Sequence, residues 1–410
     1  MKWWNKLNTN KRIYLDNAAA TPVRAEVVDA MKPYWTENFG NASAIHAEGQ
    51  VAADAVAAAR LLIARTLGIR PNEVTFTGSG SESNNLALYG YVRQLHEVEQ
   101  IPYNEIEIIS TNIEHPSVLK VLSHLEIMGV IVQYVAVDEV GMIDLSSLES
   151  VLTEKTRLVT FAYANSEIGT VQPVKRITRL IRKFNTENVV NIKTHLDASQ
   201  APLWLSCHMT HLGVDMMTLD AGKCEGPKGV GVLTVRNVPL QGIILGGGQE
   251  SGLRAGTENT AGIVGAATAI KLAQENFEEV SARVRQESEM LWQNLTEILS
   301  TIVLNGPTIA NGDRLPNNVN ISLPGLDSEF AVVVLDKNGI AASTKSACSG
   351  AGSGESLVVK EISGDAARAT STIRFSLGPD TNLSVQKSAQ IAHILLKHQQ
   401  QMQSFDSTTK

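Results

Sequence analysis

The sequence has few cysteines, no long apolar run and no excess of positive charge, and each shortage excludes a class of protein. The three cysteines, Cys207, Cys224 and Cys348, are an odd number and lack the spacing of a disulfide framework or a metal site. No stretch is long enough to span a membrane, and the basic N-terminus lacks the apolar region of a signal peptide. The net charge of −7 argues against a nucleic-acid-binding surface. We therefore expect a cytoplasmic protein without a bound metal, a membrane or a nucleic-acid partner.

Apolar residues make up 43% of the chain, enough for a large core in two to three domains of ordinary size. In the first part, short apolar runs alternate with helical periodicity, which predicts a mostly parallel sheet covered by helices on both faces. One long amphipathic stretch over 274–300 is followed by short strands and further helices, as in a smaller α/β unit. We therefore predict a large domain over 17–270 and a small domain formed by 1–16 and 271–410.

Local signals place the main elements. Helical spacing runs from Ala47 to Leu67, and Gly68 ends that helix. The other main predicted helices begin near Ala25 or cover 84–92, 116–128, 174–184 and 384–400. The main predicted strands cover 13–15, 74–77, 107–110, 130–135, 158–163, 189–196, 302–304, 319–323 and 373–376.

The stretch from Thr218 to Gly231 carries the first chemical signal and reads TLDAGKCEGPKGVG. An apolar run ends there at Lys223, inside a glycine-rich turn. A strand that stops at a lysine places an amine at the carboxyl edge of the sheet, where open α/β folds bind ligands. In an apolar pocket such an amine can attack a carbonyl, as a Schiff base with pyridoxal phosphate (PLP) requires. The alternative, a solvated loop lysine, is common.

A second signal follows the predicted strand 74–77. Gly78 to Ser83 reads GSGSES and leads into a helix. The free N–H groups and the dipole at such a helix start favour an anion, so the turn is a candidate phosphate cradle. An ordinary capped helix is an equally good interpretation of the turn taken alone.

Several candidate residues share one position, just past the carboxyl end of a predicted strand. They are Ser81, His115, Asn165, Asp197 and Lys223. His115 could instead be a core histidine, and Asp197 could be the N-cap of a helix. A parallel sheet brings all five to one edge, and that coincidence favours a common site.

Ten segments together resemble the motifs of one family, the PLP-dependent cysteine desulfurases of the NifS/IscS type within the class V aminotransferase-like enzymes. The segments read YLDNAAATP (14–22), FGNASAIH (39–46), FTGSGSESNN (76–85), EHPSVL (114–119), NSEIGTVQP (165–173), LDASQA (196–201), GKCEGPKGVG (222–231), GGGQESGLRAGTENTAGIVG (246–265), SACSG (346–350) and IRFSLG (373–378). The resemblance implies PLP fold type I, an α/β fold whose large domain has a mostly parallel seven-stranded sheet flanked by helices.

The resemblance also implies roles for particular residues. Chemical roles fall to the Schiff-base lysine, the sulfur-accepting nucleophile and the histidine stacked on the ring: Lys223, Cys348 and His115. PLP is held by Lys223, His115, Asp197, Gln200, Gly80, Ser81, Ser166 and Thr257. The substrate is held by Arg374, Asn165 and Asn41.

Each implied role has a physical reason. The carboxylate of Asp197 keeps the pyridine nitrogen protonated, so the ring can accept electrons. Gln200 is implied to bond the ring hydroxyl, and Thr257 to reach the phosphate from the other subunit of a homodimer. The planar guanidinium of Arg374 suits a carboxylate. Cys348 lies in a glycine- and serine-rich stretch, 343–354, which predicts the mobility that sulfur transfer needs.

The chain departs from the family pattern just before the lysine. A serine, a small residue and a histidine are usual there, and Asp220, Ala221 and Gly222 stand here. A carboxylate repels the phosphate that the usual serine binds. We therefore expect Asp220 to point away, or to be paired with a cation or a donor such as Thr257. The prediction is an active enzyme with a rearranged phosphate-binding loop.

The resemblance implies that the protein converts L-cysteine to L-alanine. Sulfur is held as a persulfide on Cys348 and passed to a transient acceptor protein, in iron–sulfur cluster assembly or tRNA thiolation. One alternative is a selenocysteine lyase or another class V PLP enzyme. A second alternative is a catalytically silent scaffold with the PLP fold, which only the substitutions at 220 and 222 favour.

Overall fold

The computed structural model describes residues 12–310, 312–344 and 354–408, with side chains as far as residue 402. Cys348 lies outside these ranges. The strands are β1 Ile13–Tyr14, β2 Val74–Thr77, β3 Glu107–Ser110, β4 Ile131–Tyr134, β5 Thr156–Ala162, β6 Lys193–Asp197, β7 Met216–Asp220, β8 Gly231–Val235, β9 Val303–Leu304, β10 Asn318–Ser322, β11 Ile340–Ala341 and β12 Thr372–Ser376.

The helices of the same ranges connect and cover these strands. They are α1 Ala25–Met31, α2 Pro33–Thr36, α3 Ala47–Leu67, α4 Gly80–Arg93, α5 Pro116–Met128, α6 Leu145–Val151, α7 Val174–Asn188, α8 Met209–Leu212, α9 Thr260–Ile298, α10 Ser328–Lys337, α11 Leu357–Ser363, α12 Ala366–Thr370 and α13 Val385–Thr408. None of these helices is long and apolar enough to cross a membrane.

The main sheet has seven strands in the order β2–β8–β7–β6–β5–β3–β4. The five strands from β7 to β4 pair in parallel, and β8 is antiparallel to both β7 and β2. Because β8 is reversed against both neighbours, β2 runs in the same direction as β7. The carboxyl ends of six strands therefore meet at one edge, and the predicted mostly parallel seven-stranded sheet is confirmed.

The strand that is reversed brings two loops together. Gly231, the first residue of β8, pairs with Thr77 at the end of β2 and with Asp220 at the end of β7. A Cβ at Gly231 would lie 2.3 Å from the backbone carbonyl of Ser79. Only glycine leaves room for the loop after β2 to cross here. That loop carries the start of α4 toward the end of β7.

Two smaller sheets lie outside the main one. The strands β12, β10 and β9 form an antiparallel sheet, and β1 pairs in parallel with β11. The pairing of β1 joins the first described residues to the part of the chain after α9. The domain division at residues 16 and 270 stays a prediction.

Some predicted boundaries were wrong. The strand predicted over 189–196 begins only at Lys193, because α7 continues to Asn188 and Val189 adopts a left-handed conformation (φ 56°) as its cap. The helix predicted from residue 84 begins at Gly80, since the Ser79 side chain accepts a hydrogen bond from the N–H of Glu82 and caps it earlier. The long helix predicted over 274–300 begins already at Thr260.

Candidate active site

A cleft of about 580 Å³ opens at the carboxyl edge of the main sheet. Eight of the twelve site residues proposed from the sequence line it: Gly80, Ser81, His115, Asn165, Ser166, Asp197, Gln200 and Lys223. Strand ends explain this convergence. Asp197 is the last residue of β6, and the others follow the ends of β2, β3, β5, β6 and β7 within a few residues.

Asp197 is a buried carboxylate held by three donors. Its Oδ1 accepts hydrogen bonds from the N–H and the hydroxyl of Ser199, at 3.0 and 2.6 Å, and its Oδ2 accepts one from Asn84 at 2.8 Å. Burial opposes the charged form, but these hydrogen bonds and the nearby His115 outweigh it, so the pKa of Asp197 lies below its ordinary value. A permanent negative charge is thus fixed in the wall of the cleft.

A polar chain connects this carboxylate to His115. The side-chain amide of Asn84 donates to Asp197 and also to the hydroxyl of Ser117, at 2.8 Å. The Ser117 hydroxyl lies 2.7 Å from Nδ1 of His115, and the Ser117 N–H donates to the same nitrogen at 3.1 Å. Because Nδ1 accepts, the neutral imidazole carries its proton on Nε2.

The imidazole of His115 is held in its neutral form. Burial lowers its pKa first, and the charge of Lys223 lowers it further, while Asp197 and Asp220 act in the opposite sense. The pKa of His115 therefore depends on the charges of both Lys223 and Asp197. A neutral ring suits both stacking on an aromatic cofactor and proton transfer near pH 7.

Glu114 is a cleft residue that the sequence did not single out. Its Oε1 accepts a 2.6 Å hydrogen bond from Thr111, and its buried Oε2 has no partner among the described residues. Burial raises the pKa of Glu114 to about 8. Asn84 Oδ1 is likewise buried in the cleft without a partner. Two unsatisfied polar atoms in one cleft are what a polar ligand would satisfy.

The Glu114→Gln variant tests this carboxyl. A pKa raised in the folded state gives stability that is complete below the unfolded value and is lost as pH rises through the folded one. Between pH 6.5 and 8 we expect the wild type, freed of cofactor, to lose up to about 2 kcal/mol of unfolding free energy through this group. Urea unfolding of Glu114→Gln should show a flatter pH dependence. The exposed Glu361→Gln is the control, and equal slopes for wild type and Glu114→Gln would contradict the assignment.

Lys223 ends a single turn, Ala221–Lys223, that follows β7 directly. The turn is held by the carbonyl of Ala221, which accepts from the N–H groups of Cys224 and Gly226 at 3.1 and 2.9 Å. Cys224 and Ala221 are buried, whereas Lys223 is half-buried and extends into the cleft lining. The rigid turn thus presents one amine on the side where Asp197 and His115 lie.

Asp220 does not point away from the cradle, and of the two expected alternatives the structure shows the second, pairing with a donor. Its Oδ2 accepts from the N–H of Gly80 at 3.2 Å, and its Oδ1 from the N–H of Gly222 at 2.9 Å. The donors are thus backbone groups rather than a cation or Thr257. The carboxylate occupies the start of α4, because a helix N-terminus attracts negative charge.

Three proposed site residues do not line the cleft. Arg374 is almost fully buried and donates to Oδ1 of Asp16 and to the carbonyl of Ser166, at 2.8 and 2.9 Å. Thr257 is exposed, as is Asn41, whose side chain accepts from the N–H of Ser43 at 2.9 Å. Their roles toward substrate and cofactor stay predictions.

Two residues that line the cleft have side chains that are hydrogen-bonded to the backbone. Asn165 accepts from the N–H groups of Glu167 and Ile168 and donates to the carbonyl of Ile113 at 2.9 Å, so it shapes its own loop. Gln200 donates to the carbonyl of Ala18 at 2.9 Å. The residues that sequence reasoning missed are Asn84, Glu114 and Ser199. They stand inside the quoted motifs FTGSGSESNN, EHPSVL and LDASQA, and that position was the available signal.

The chain was compared with known proteins. Residues 13–384 match the family Aminotransferase class-V. The protein "Cysteine desulfurase IscS" of Clostridium botulinum is 38% identical over 370 residues, 90% of each chain. That of Methanosarcina thermophila is 39% identical over 345 residues, 84% of this chain and 81% of the relative.

Solved structures agree with this relationship. A structure titled "NIFS-LIKE PROTEIN" superposes with a TM-score of 0.85 at 33% identity, covering 94% of this chain and all (100%) of that one. Another, titled "SspA in complex with cysteine", has a TM-score of 0.75 at 33% identity and covers 90% and 99%. The chain therefore belongs to the class-V aminotransferase family and, within it, to the cysteine desulfurases.

Proposed function

We propose that the protein converts L-cysteine to L-alanine with PLP bound in the cleft, and that sulfur is held as a persulfide on Cys348. The observation that carries this proposal is the placement of Lys223 and the buried, charged Asp197 in one cleft with His115. An amine and a carboxylate in this arrangement are what a pyridine aldehyde needs. Membership of the cysteine desulfurases supports the choice of substrate.

The residues of the cleft fit the ring of PLP. The carboxylate of Asp197 is ionised and has both oxygens supported, so it can pair with a protonated ring nitrogen. The unsatisfied Oδ1 of Asn84 and Oε2 of Glu114 lie in the same cleft. The phosphate end fits less simply, because Asp220 already occupies the N–H of Gly80.

The chain's own residues divide the chemistry. PLP, when bound, supplies an electron sink for the bonds at the substrate Cα. Lys223 would hold the cofactor and afterwards carry the proton that leaves Cα. Asp197 would keep the ring nitrogen protonated, and His115 would stack on the ring with its Nε2 proton available for transfer. The thiolate of Cys348 would attack the substrate sulfur, since only the thiolate is a nucleophile. The S–S bond would form as the Cβ–S bond breaks, and the electron pair of the broken bond would stay on the carbon fragment, where protonation of Cβ completes alanine.

Arg374 is proposed to bind the substrate carboxylate by exchange of partners. Its guanidinium now pairs with Asp16, while its buried Nε has no partner among the described residues. A substrate carboxylate of the same charge would take the place of Asp16. The contact with the Ser166 carbonyl keeps the guanidinium beside the cleft during this exchange.

A homodimer is part of the proposal. Large apolar side chains are exposed near the two proposed site residues that face solvent: Phe39 is 70% and Ile45 95% exposed beside Asn41, and Leu245 is 76% exposed before Thr257. Apolar surface of this kind indicates an interface. In a dimer, Thr257 would reach the phosphate of the partner's cofactor. A transient acceptor protein would then take the sulfur, in iron–sulfur cluster assembly or tRNA thiolation.

One experiment tests the proposed function. The protein is incubated with L-cysteine and a reductant, and sulfide and alanine are measured together; we expect equal amounts. Without reductant, sulfane sulfur should be recovered on the peptide that contains Cys348. The Cys207→Ser variant is the control, because burial raises the pKa of the Cys207 thiol and makes it unreactive.

Other outcomes of the same experiment identify the alternatives. Activity with selenocysteine but not with cysteine indicates a selenocysteine lyase, especially if the Cys348→Ser variant retains it. Binding of PLP without turnover of either substrate indicates a silent scaffold. Sulfur on the peptide containing Cys207 or Cys224 would contradict the role of Cys348.

A further inference from the structure

Asp220 places a negative charge where the phosphate of the cofactor is expected. Its carboxylate bridges the ends of two loops, accepting from the N–H of Gly80 in the first turn of α4 and from the N–H of Gly222. The fit is close, since a Cβ at Gly80 would lie 3.1 Å from Oδ2 of Asp220 and 3.1 Å from Oγ of Ser199. The N–H of Gly80, the first donor of the cradle, therefore already donates to the carboxylate of Asp220.

A phosphate that enters this cradle meets that carboxylate at hydrogen-bonding distance. Above about pH 6 a phosphate monoester is mainly a dianion, and a dianion and a carboxylate that share donors repel each other. One proton removes the conflict, because a group O–H···O⁻ is a short, charge-assisted hydrogen bond. Two carboxylates that share a site resolve the same conflict in the same way.

Among the described residues, the titratable groups near Asp220 do not cancel its negative charge. His115 is neutral at pH 7 because its pKa is lowered, and Cys224 is a thiol whose pKa burial raises. Lys228 lies beside Gly222, but its ammonium donates to the carbonyl of Thr21. Within the same described ranges Lys223 forms no ion pair or hydrogen bond with Asp220, and Asp197 adds a further negative charge to the cleft.

We propose that Asp220 makes phosphate binding in this cradle proton-linked. The cofactor binds with one additional proton, taken from solvent above about pH 6 and shared between the phosphate and Asp220. No bond of the cofactor forms or breaks in this step. The complex holds one more proton than the separate components, so affinity rises as pH falls. This inference rests on the proposed function, since it assumes that the cleft binds a phosphorylated pyridine.

The test uses pyridoxine 5′-phosphate, which has the ring and phosphate of PLP but no aldehyde, so Lys223 cannot react with it. Calorimetry of the full chain freed of cofactor, in buffers of different ionisation enthalpy, counts the protons taken up on binding. At pH 8 we expect the wild type to take up about one proton more than Asp220→Asn. The affinity of Asp220→Asn relative to wild type should grow about tenfold per pH unit above about pH 6.

Two further variants make the result interpretable. Asp220→Ser should behave like Asp220→Asn if charge, and not shape, is decisive. Asp54→Asn removes an exposed carboxylate on α3 and should keep the wild-type proton uptake. Thermal unfolding of each variant verifies that it is folded.

The outcomes separate this inference from the proposed function. Equal proton uptake and parallel pH profiles in wild type and Asp220→Asn overturn the proton linkage alone. Absence of binding in every variant between pH 5.5 and 8.5 overturns the proposed function and the linkage with it. Tighter binding by wild type than by Asp220→Asn at pH 8 also overturns the linkage, since it would show the carboxylate to be a favourable contact.

Discussion

Replacement of Lys223 by alanine is expected to lower the rate of alanine formation by about 10²–10⁴-fold or more, because proton transfer by a positioned group contributes that much. Lys223 also anchors the cofactor, so the yellow colour of the lysine-bound form should disappear. Stability should change by less than about 0.5 kcal/mol. Within the described ranges the Lys223 ammonium makes no hydrogen bond or ion pair, and its loss leaves the turn Ala221–Lys223 in place.

The controls for this variant separate chemistry from folding. Lys271→Ala removes a half-buried lysine of α9 that pairs with Glu275, and it should keep wild-type activity. Methylamine added to Lys223→Ala should restore part of the rate, since a free amine can act as the proton carrier. Full activity in Lys223→Ala would contradict the proposed function. A loss accompanied by a large drop in unfolding free energy would indicate a structural lysine.

The Asp197→Asn variant should lower kcat by about 10²–10⁴-fold. Breaking a buried ion pair costs about 3–5 kcal/mol, and each 1.4 kcal/mol corresponds to about a factor of ten. The neutral amide cannot hold the proton on the ring nitrogen, so the electron sink weakens. The amide also presents a donor toward Asn84, whose side chain now donates to Asp197 at 2.8 Å. That mismatch adds a stability loss of about 1–3 kcal/mol.

A matched control lies at the amino edge of the main sheet, opposite to the cleft, beside the strand β7 that neighbours β6. Asp215, just before β7, accepts from the N–H and the hydroxyl of Thr194 at 2.8 Å. Asp215→Asn should lose similar stability, with kcat unchanged in the folded fraction. Ser199→Ala removes one donor to Asp197 but leaves the charge, so its effect on kcat should be smaller than that of Asp197→Asn. Equal kcat in Asp197→Asn and wild type would exclude a role for this carboxylate at the ring.

The parts of the fold that the sequence predicted depend on local signals. The helix Ala47–Leu67 follows from apolar spacing and from Gly68, which adopts the left-handed cap conformation at φ 68°. The strands that end at Asp197 and Asp220 follow from apolar runs that stop at polar residues. Val189 shows the limit of such signals, because the β-branched pair Val189 and Val190 favours a strand, whereas Val189 caps a helix in the structure.

The sequence by itself determined the alternating α/β pattern and the positions of Lys223 and Asp197 at strand ends, since each of these follows from the types of neighbouring residues. Only the tertiary structure decided the contacts of those groups. Asn84 reaches Asp197 across 113 positions, Gly80 reaches Asp220 across 140, and Arg374 reaches Asp16 across 358. The first two contacts depend on the direction of β2 beside the reversed β8, because α4 follows β2. The third depends on Asp16 lying beside the end of β12. Residue type alone leaves the direction of a side chain open, because a carboxylate at a strand end can turn to whichever donors the packed loops present.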